Sequence, residues 1–311
     1  MRVFVTGATG HVGSAVASAF RDAGHDVGAL ARSDASAQRL AAAGLEPVPG
    51  TLGDPGTFAS VAGASDVVVH AGFEYAASGD ERGDVDEVAT VAMLTAAREG
   101  AADGRPRHLI YTSNAYLLRS PAAAVDESVD TDGPTIPPAW RFAVERRVLG
   151  AASAERSAPV RTAVVRLGLV YGGDGGSGPS LFAAALRHGA GVHASPATAR
   201  MSLIYRRDLA ELYVRIAAAA APGVFHAVDG CPLTTAEVAR AVSTAAGFGG
   251  RTEELADAAA VHALGPHTVD IMRRDVAVLP TRSFALGWRP RFTSFREGAA
   301  TAFKEWRAGA R

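Results

Sequence analysis

Two alternating patterns of apolar positions fill roughly the first half of the chain. Short β-branched runs, apolar on both faces, stand at 2–6, 26–32, 45–48, 66–71, 108–113 and 161–167. Longer alanine-rich segments of helical period separate them. Runs without polar alternation are what strands covered by helices on both sides require, and their alternation with helices predicts parallel βαβ units. Between the first two runs, Val12, Val16 and Phe20 recur at i, i+4 and i+8, with Gly24 as a helix stop. The six strands and their crossovers predict an α/β fold, a doubly wound parallel sheet with the 160–170 segment at its far edge.

After Tyr171 the texture changes. Residues 172–179 are too glycine-dense for a sheet element and predict a mobile loop. Helices are expected over 180–188, 208–220 and 235–246, with an irregular stretch to about residue 200 and an amphipathic C-terminus. The expected organisation is a nucleotide-binding domain at 1–171 and a smaller C-terminal substrate-binding lobe at 172–311, from which a strand or helix can return to the sheet. The proline-rich, acidic stretch 119–138 is expected to be a surface excursion on the ligand side.

Composition narrows the function. In 311 residues, 31 Lys and Arg balance 32 Asp and Glu, and 48% of positions are hydrophobic. That is ordinary globular composition, without the basic excess of a nucleic-acid binder. Cys231 is the only cysteine, which excludes an intramolecular disulfide and a thiolate metal cluster. No His-x-His or His-Glu-x-x-His spacing appears, so no metal is expected. Apolar runs such as 216–221 are far shorter than a membrane span. A strand beginning at Arg2 leaves no room for a leader, and the expected location is the cytoplasm. The oligomeric state is left as monomer or homodimer.

The chemistry starts at Thr6-Gly7-Ala8-Thr9-Gly10-His11-Val12-Gly13, directly after the first strand and at the start of a helix. The first glycine suits the tight turn, the second lets backbone approach a diphosphate, and the third lets helix and strand pack closely. The helix N-terminus adds N–H donors and partial positive charge. Together with the strand pattern, this makes the sheet Rossmann-type. The Gly-x-x-Gly-x-x-Gly spacing resembles the extended and atypical branches of the short-chain dehydrogenase/reductase superfamily, the NAD-dependent epimerase/dehydratase type. The resemblance covers nearly the whole chain. Asp66-Val67-Val68-Val69-His70-Ala71-Gly72 is similar to the strand that ends beside the nicotinamide ribose, and Tyr111-Thr112-Ser113 to the strand presenting the family's active-site serine. Residues 165–172, which run from Val165 through Arg166 and Leu167 to Gly172, resemble the passage into the substrate lobe. Leu286-Gly287-Trp288-Arg289-Pro290 resembles a C-terminal motif.

The second strand ends Ala31-Arg32-Ser33 where an acidic residue would select NAD. A guanidinium with a neighbouring hydroxyl suits a phosphate monoester, so the expected cofactor is NADPH, with NADH as the alternative. Thr51, before Leu52, replaces the aspartate that the family places near adenine. The resemblance implies a cofactor set of Gly7, Thr9, Gly10, His11, Val12, Gly13, Arg32, Ser33, Thr51, Leu52, His70, Ala71, Gly72, Thr112, Arg141 and Leu167.

The family's catalytic pair is Tyr-x-x-x-Lys. Anchoring its helix on Glu145 puts Arg141 at the lysine position and Pro137 at the tyrosine position. Proline has nothing to donate, and a guanidinium holds its proton at neutral pH. The expected catalytic residues are therefore Ser113, Arg141 and Tyr116. Phe73, Tyr75, Tyr116, Trp140, His193 and Tyr205 are expected to wall a pocket for a flat, apolar ligand. Whole-chain similarity and the lost pair resemble ketoreductases of angucyclinone biosynthesis. The expected function is NADPH-dependent reduction of a ketone on a polycyclic aromatic polyketide to a secondary alcohol, with a substrate phenol supplying the proton; the small-molecule partner is that aromatic ketone. Two alternatives stay open: an NADP(H)-binding redox regulator without catalysis, and a relative of nucleotide-sugar epimerases and dehydratases.

Overall fold

The computed structural model describes residues 1–74, 81–118, 123–129, 131, 140–152 and 160–309. Tyr75, Pro137 and most of the 119–138 excursion lie outside the described residues.

A seven-stranded sheet carries the first half of the chain. Its strands include β1 (Arg2–Thr6), β2 (Asp26–Ala31), β3 (Glu46–Pro49), β4 (Val67–His70), β5 (Arg107–Asn114) and β6 (Val160–Leu167). Each corresponds to a run predicted from the sequence, within a residue or two at the ends. The order is β6, β5, β4, β1, β2, β3, with the strand Gly223–Ala227 outside β6. The β1–β2, β1–β4, β4–β5 and β2–β3 pairs are parallel. β3 carries Pro47 and Pro49, which a strand tolerates at an edge, where N–H groups on one side need no ladder partner.

The far edge differs from expectation. The 160–170 segment is not one edge strand: β6 ends at Leu167, the chain breaks at Gly168, and Leu169–Tyr171 pairs instead with Leu203–Tyr205. A side chain at Gly168 would stand 2.5 Å from the Ser202 carbonyl oxygen and 2.8 Å from Val228 Cγ1. Backbone bonds from Gly168 N to Ala227 O (3.1 Å) and from Leu169 N to Ser202 O (2.8 Å) hold the divergence.

Helices α1 (His11–Asp22), α2 (Asp34–Ala42), α3 (Ala59–Ala64), α4 (Glu81–Gly100) and α5 (Trp140–Ala151) connect the strands. Val16, Ala17 and Phe20 form the buried stripe of α1, as their spacing predicts. Phe4, Phe58, Met93, Leu109, Val144, Val148 and Val164 belong to one buried cluster. Burying a side chain of this size stabilises the fold by about 1.5–3 kcal/mol.

The chain divides into two compact units. Unit 1 is Met1–Ser113, Pro137–Arg166 and Ala210–Phe225; unit 2 is Asn114–Ile136, Leu167–Leu209 and His226–Arg311. The core of unit 2 gathers Tyr171, Phe182, Leu203, Tyr205 and Phe295, with Phe303 and Trp306 of the helix Phe295–Gly309 packed against it. The helix predicted over 180–188 begins two residues earlier, at Gly178. Trp288 is fully buried and donates from Nε1 to the Asp208 carbonyl oxygen at 3.1 Å. Among the described residues, no helix is long and apolar enough to cross a membrane.

Candidate functional site

Strand register brings three side chains of unit 1 together. Thr6 at the end of β1 pairs with His70 at the end of β4, and His70 pairs with Tyr111 of β5. The carboxyl ends of three adjacent strands therefore present a threonine, a histidine and a tyrosine side by side.

The glycine-rich turn follows Thr6. Gly7 has φ +73°, and any β-carbon there would strike the Ala71 carbonyl oxygen and approach Gly72 Cα to 2.7 Å. A β-carbon on Gly13 would strike the Gly7 carbonyl oxygen and approach Ala8 N to 3.0 Å. The turn, the start of α1 and the segment after β4 thus meet backbone to backbone. Gly10 caps α1 without a side-chain hydrogen bond, so no capping group competes for the first-turn N–H donors. Thr9 is exposed, and His11 and Val12 are half-buried. This side-chain-free cradle at a helix N-terminus fits a dinucleotide diphosphate.

At the end of β2, Arg32 is 71% exposed and its Nη1 lies 3.8 Å from Glu74 Oε1. Ser33 caps α2, accepting from Ser36 N at 3.3 Å. Thr51 is exposed, and Leu52 packs at the margin of the core. Ala71 and Gly72 are partly buried, and Gly72 N donates to Thr6 Oγ1 at 3.0 Å.

A buried polar chain runs inward from that bond. Thr6 Oγ1 lies 2.7 Å from His70 Nδ1, and His70 Nε2 lies 3.5 Å from Asp86 Oδ1. Tyr111 donates to Asp86 Oδ2 at 2.6 Å, and Arg141 Nη1 donates to the Tyr111 oxygen at 3.3 Å and to the Thr112 carbonyl at 3.1 Å. Thr6, His70, Asp86, Tyr111 and Arg141 are all buried. Burial works against ionisation of Asp86, but the neighbouring His70 imidazole, the Arg141 charge and the Tyr111 hydroxyl together hold its carboxyl below the usual range. Burial pushes the Tyr111 phenol well above its ordinary value.

Arg141 is clamped by aromatic faces. Its guanidinium carbon lies 4.6 Å from the Trp140 ring centroid and 5.3 Å from that of Phe73. Its Nε has no acceptor among the described residues. One helical turn along α5, Glu145 accepts from Ser113 Oγ on one oxygen and from Arg166 Nε (3.0 Å) and Nη2 (2.6 Å) on the other. All three side chains are buried. The Ser113 proton is therefore committed to a carboxylate, and its oxygen is left as an acceptor. Thr112 Oγ1 shares a hydrogen bond with Tyr213 at 2.8 Å.

The other expected residues sit in unit 2. Tyr116 is half-buried in a turn of 3₁₀ helix, its hydroxyl buried without a partner among the described residues and its phenol pushed well up by burial. His193 is buried in the strand Gly191–Ala194, with Nδ1 3.3 Å from the Ala194 carbonyl. Tyr205 is buried against Tyr171 and Phe292 and donates to Glu305 at 2.6 Å; burial, then Glu305, raises its phenol to about 12. Leu167 closes β6. Among the described residues, no cluster of His, Cys, Asp or Glu could hold a metal.

Sequence reasoning did not place Asp86, Tyr111, Glu145 or Arg166 in the site. The i, i+4 spacing of Arg141 and Glu145 was the available signal for one helix face. For Asp86, within a helix whose apolar positions do not gather on one face, no local signal exists.

The model of the family described as NAD dependent epimerase/dehydratase matches residues 3–227. The chain belongs to this family. Uncharacterized protein C2A9.02 of Schizosaccharomyces pombe is 32% identical over 241 residues, covering 75% of this chain and 77% of that protein. A 4-hydroxy-2-methyl-3-oxo-4-farnesyl-3,4-dihydroquinoline-1-oxide ketoreductase of Stigmatella aurantiaca is 32% identical over 182 residues, 56% of this chain and 52% of that enzyme. Among solved structures, human epimerase family protein SDR39U1 with NADPH superposes with a TM-score of 0.72 at 22% identity, covering 98% of each chain. That likeness shows the fold. At the level of the family, the chain is of the NAD-dependent epimerase/dehydratase type.

Proposed function

We propose that this protein is an NADPH-dependent ketoreductase that converts a ketone of a polycyclic, angucyclinone-like aromatic polyketide to a secondary alcohol. The observation that carries this reading is the environment of Arg141. A guanidinium buried between Phe73 and Trp140 supplies fixed positive charge, while the neighbouring Ser113 proton is bound to Glu145. The arrangement can stabilise an anion and, among the described residues that touch Arg141, offers no acid ready to protonate it.

The residues that would hold the dinucleotide are the turn Gly7–Gly13, Ala71 and Gly72, with Arg32 directed to a 2′-phosphate. When bound, the reduced nicotinamide supplies hydride to the carbonyl carbon. Arg141 favours the negative charge that grows on the carbonyl oxygen. Ser113, whose hydrogen faces Glu145, accepts a hydrogen bond from the substrate instead of giving one. A phenol beside the ketone then breaks its own O–H bond as the alkoxide gains the proton, and the phenolate is reprotonated by water after release. The farnesyl quinoline ketoreductase supports the reaction class, since its name describes a ketoreductase acting on a 3-oxo-dihydroquinoline, a ketone in a ring fused to an aromatic one.

The test follows NADPH absorbance with paired aromatic ketones that differ only in the neighbouring phenol. Consumption is expected with the hydroxylated member and loss of most of the rate with its methyl ether. Equal rates would overturn substrate assistance. Arg141→Ala and Ser113→Ala are expected to lower kcat by less than about ten-thousandfold, a loss of that size being what removal of a true general acid would approach. Tight NADPH binding with no ketone consumed would favour the regulatory alternative.

A further inference from the structure

With His70 neutral, the buried chain from Thr6 to Arg141 has an internally consistent polarity. Asp86, held ionised, can only accept; Tyr111 must therefore give it the phenolic hydrogen, which leaves the Tyr111 oxygen as an acceptor for Arg141. On the other side, His70 Nε2 lies 3.5 Å from Asp86 Oδ1, a close contact without hydrogen-bond geometry, and the tautomer that suits a facing carboxylate carries its hydrogen on that nitrogen. His70 Nδ1 then accepts from the Thr6 hydroxyl, whose oxygen accepts from Gly72 N. Each hydroxyl donates once and accepts once.

This polarity removes Tyr111 from consideration as a substitute acid, because its hydrogen is already bound to a carboxylate. It gives Tyr111 a different task. The hydrogen bonds of Arg141 to Tyr111 and to the Thr112 carbonyl are both made by Nη1, and the aromatic rings restrain only the faces of the guanidinium. Rotation within its plane is fixed from that one corner. A carboxylate bound directly to Arg141 would neutralise it and occupy its N–H groups; Asp86 acts one hydroxyl away and does neither.

We propose that Tyr111, oriented by Asp86, is the positioning residue that aims Arg141, and that His70 and Thr6 extend this support to the backbone of the dinucleotide cradle at Gly72. The proposal rests on the reading of Arg141 as the group that stabilises substrate negative charge.

Two variants that keep shape test it: Tyr111→Phe, which deletes one oxygen and keeps the ring packed on His70, and Asp86→Asn. The first readout needs no turnover. The side-chain Nε–H resonance of Arg141, assigned by its absence in Arg141→Lys, is expected to be resolved in the wild-type protein loaded with NADPH. In both variants it should shift towards the bulk arginine signals. The second readout is kinetic, using the ketone pair above: kcat should fall roughly 10- to 100-fold with KM and NADPH affinity nearly unchanged, as expected for support needed only in the transition state. The double variant should be no worse than the more damaged single one. An unmoved Arg141 resonance overturns the proposal, as does a kcat within twofold of wild type. If the wild-type protein consumes NADPH with no ketone, the functional reading fails, and the resonance still decides the positioning role. Should Tyr111→Phe not fold, Asp86→Asn alone carries both readouts.

Discussion

Replacing Glu145 by glutamine removes one charge from a pair that water barely reaches. The Glu145 and Arg166 side chains are 2% and 3% exposed, and two charge-assisted bonds of 3.0 and 2.6 Å join them. The neutral amide would leave the Arg166 guanidinium buried without its counter-ion, faced by the Phe142 ring at 5.6 Å. Breaking a buried pair from one side costs about 3–5 kcal/mol, because the remaining charge keeps its desolvation penalty. For a cooperative unit of this size that corresponds to a fall in Tm of about 10 °C. Arg166→Met should cost a similar amount. Arg166 Nη1 already lacks a partner among the described residues, so the pair is far from fully compensated in place. The apolar triple variant Ser113→Ala, Glu145→Leu, Arg166→Met removes both charges and the hydroxyl that would be orphaned. It should therefore lie within about 2 kcal/mol of wild type, nearer than either single variant. Urea unfolding of the four proteins measures this directly. Single losses below about 1 kcal/mol, or a triple variant that loses the sum of its parts, would refute the assigned energetics.

Three further outcomes follow from the geometry. Gly13→Ala forces a methyl group onto the Gly7 carbonyl and should cost about 1–3 kcal/mol of stability, with loss of dinucleotide binding in a fluorescence titration; wild-type affinity would contradict the cradle. Arg32→Asp should shift the ratio of NADPH to NADH affinity by at least about tenfold towards NADH, and an unchanged ratio would remove Arg32 from the cofactor site. Burial, with Glu297 and Asp208 adding and the N–H groups of Cys231 and Phe295 opposing, raises the Asp229 carboxyl to about 8. Unfolded Asp ionises near 4, so this group contributes its stability below that pH. The contribution declines by about 1.4 kcal/mol per pH unit as pH rises towards 8. Asp229→Asn should then be more stable than wild type at pH 8.5, with the gap closing towards pH 4; parallel stability curves would contradict it.

The sheet was legible because its strands are short apolar runs between helices, and β1 to β6 follow those runs closely. The strand Gly223–Ala227 was not, since Gly-Val-Phe-His-Ala follows Pro222 without alternation or a long apolar run, and only its neighbour in space makes it a strand. The break at Gly168 was hidden for a related reason: Val160 to Val170 reads as one continuous strand until Ser202 and Val228 are brought against the glycine. In the site, the glycine spacing announced a cradle that local sequence fully encodes. The hydrogen-bond partners of Arg141 come instead from β5, and Asp86 behind Tyr111 from α4, far from it along the chain, and no periodicity links them. Ser113 was named from its motif, but the direction of its hydrogen bond depends on Glu145, which sequence alone treated as an alignment anchor.

The central claim is that the turn Gly7–Gly13 of unit 1 grips a nicotinamide dinucleotide whose reducing end is served by Arg141. Calorimetric titration of NADPH into the purified protein tests it most directly. Saturable, one-to-one binding in the micromolar range is expected. Absence of any binding heat at millimolar cofactor, at more than one temperature, would contradict it.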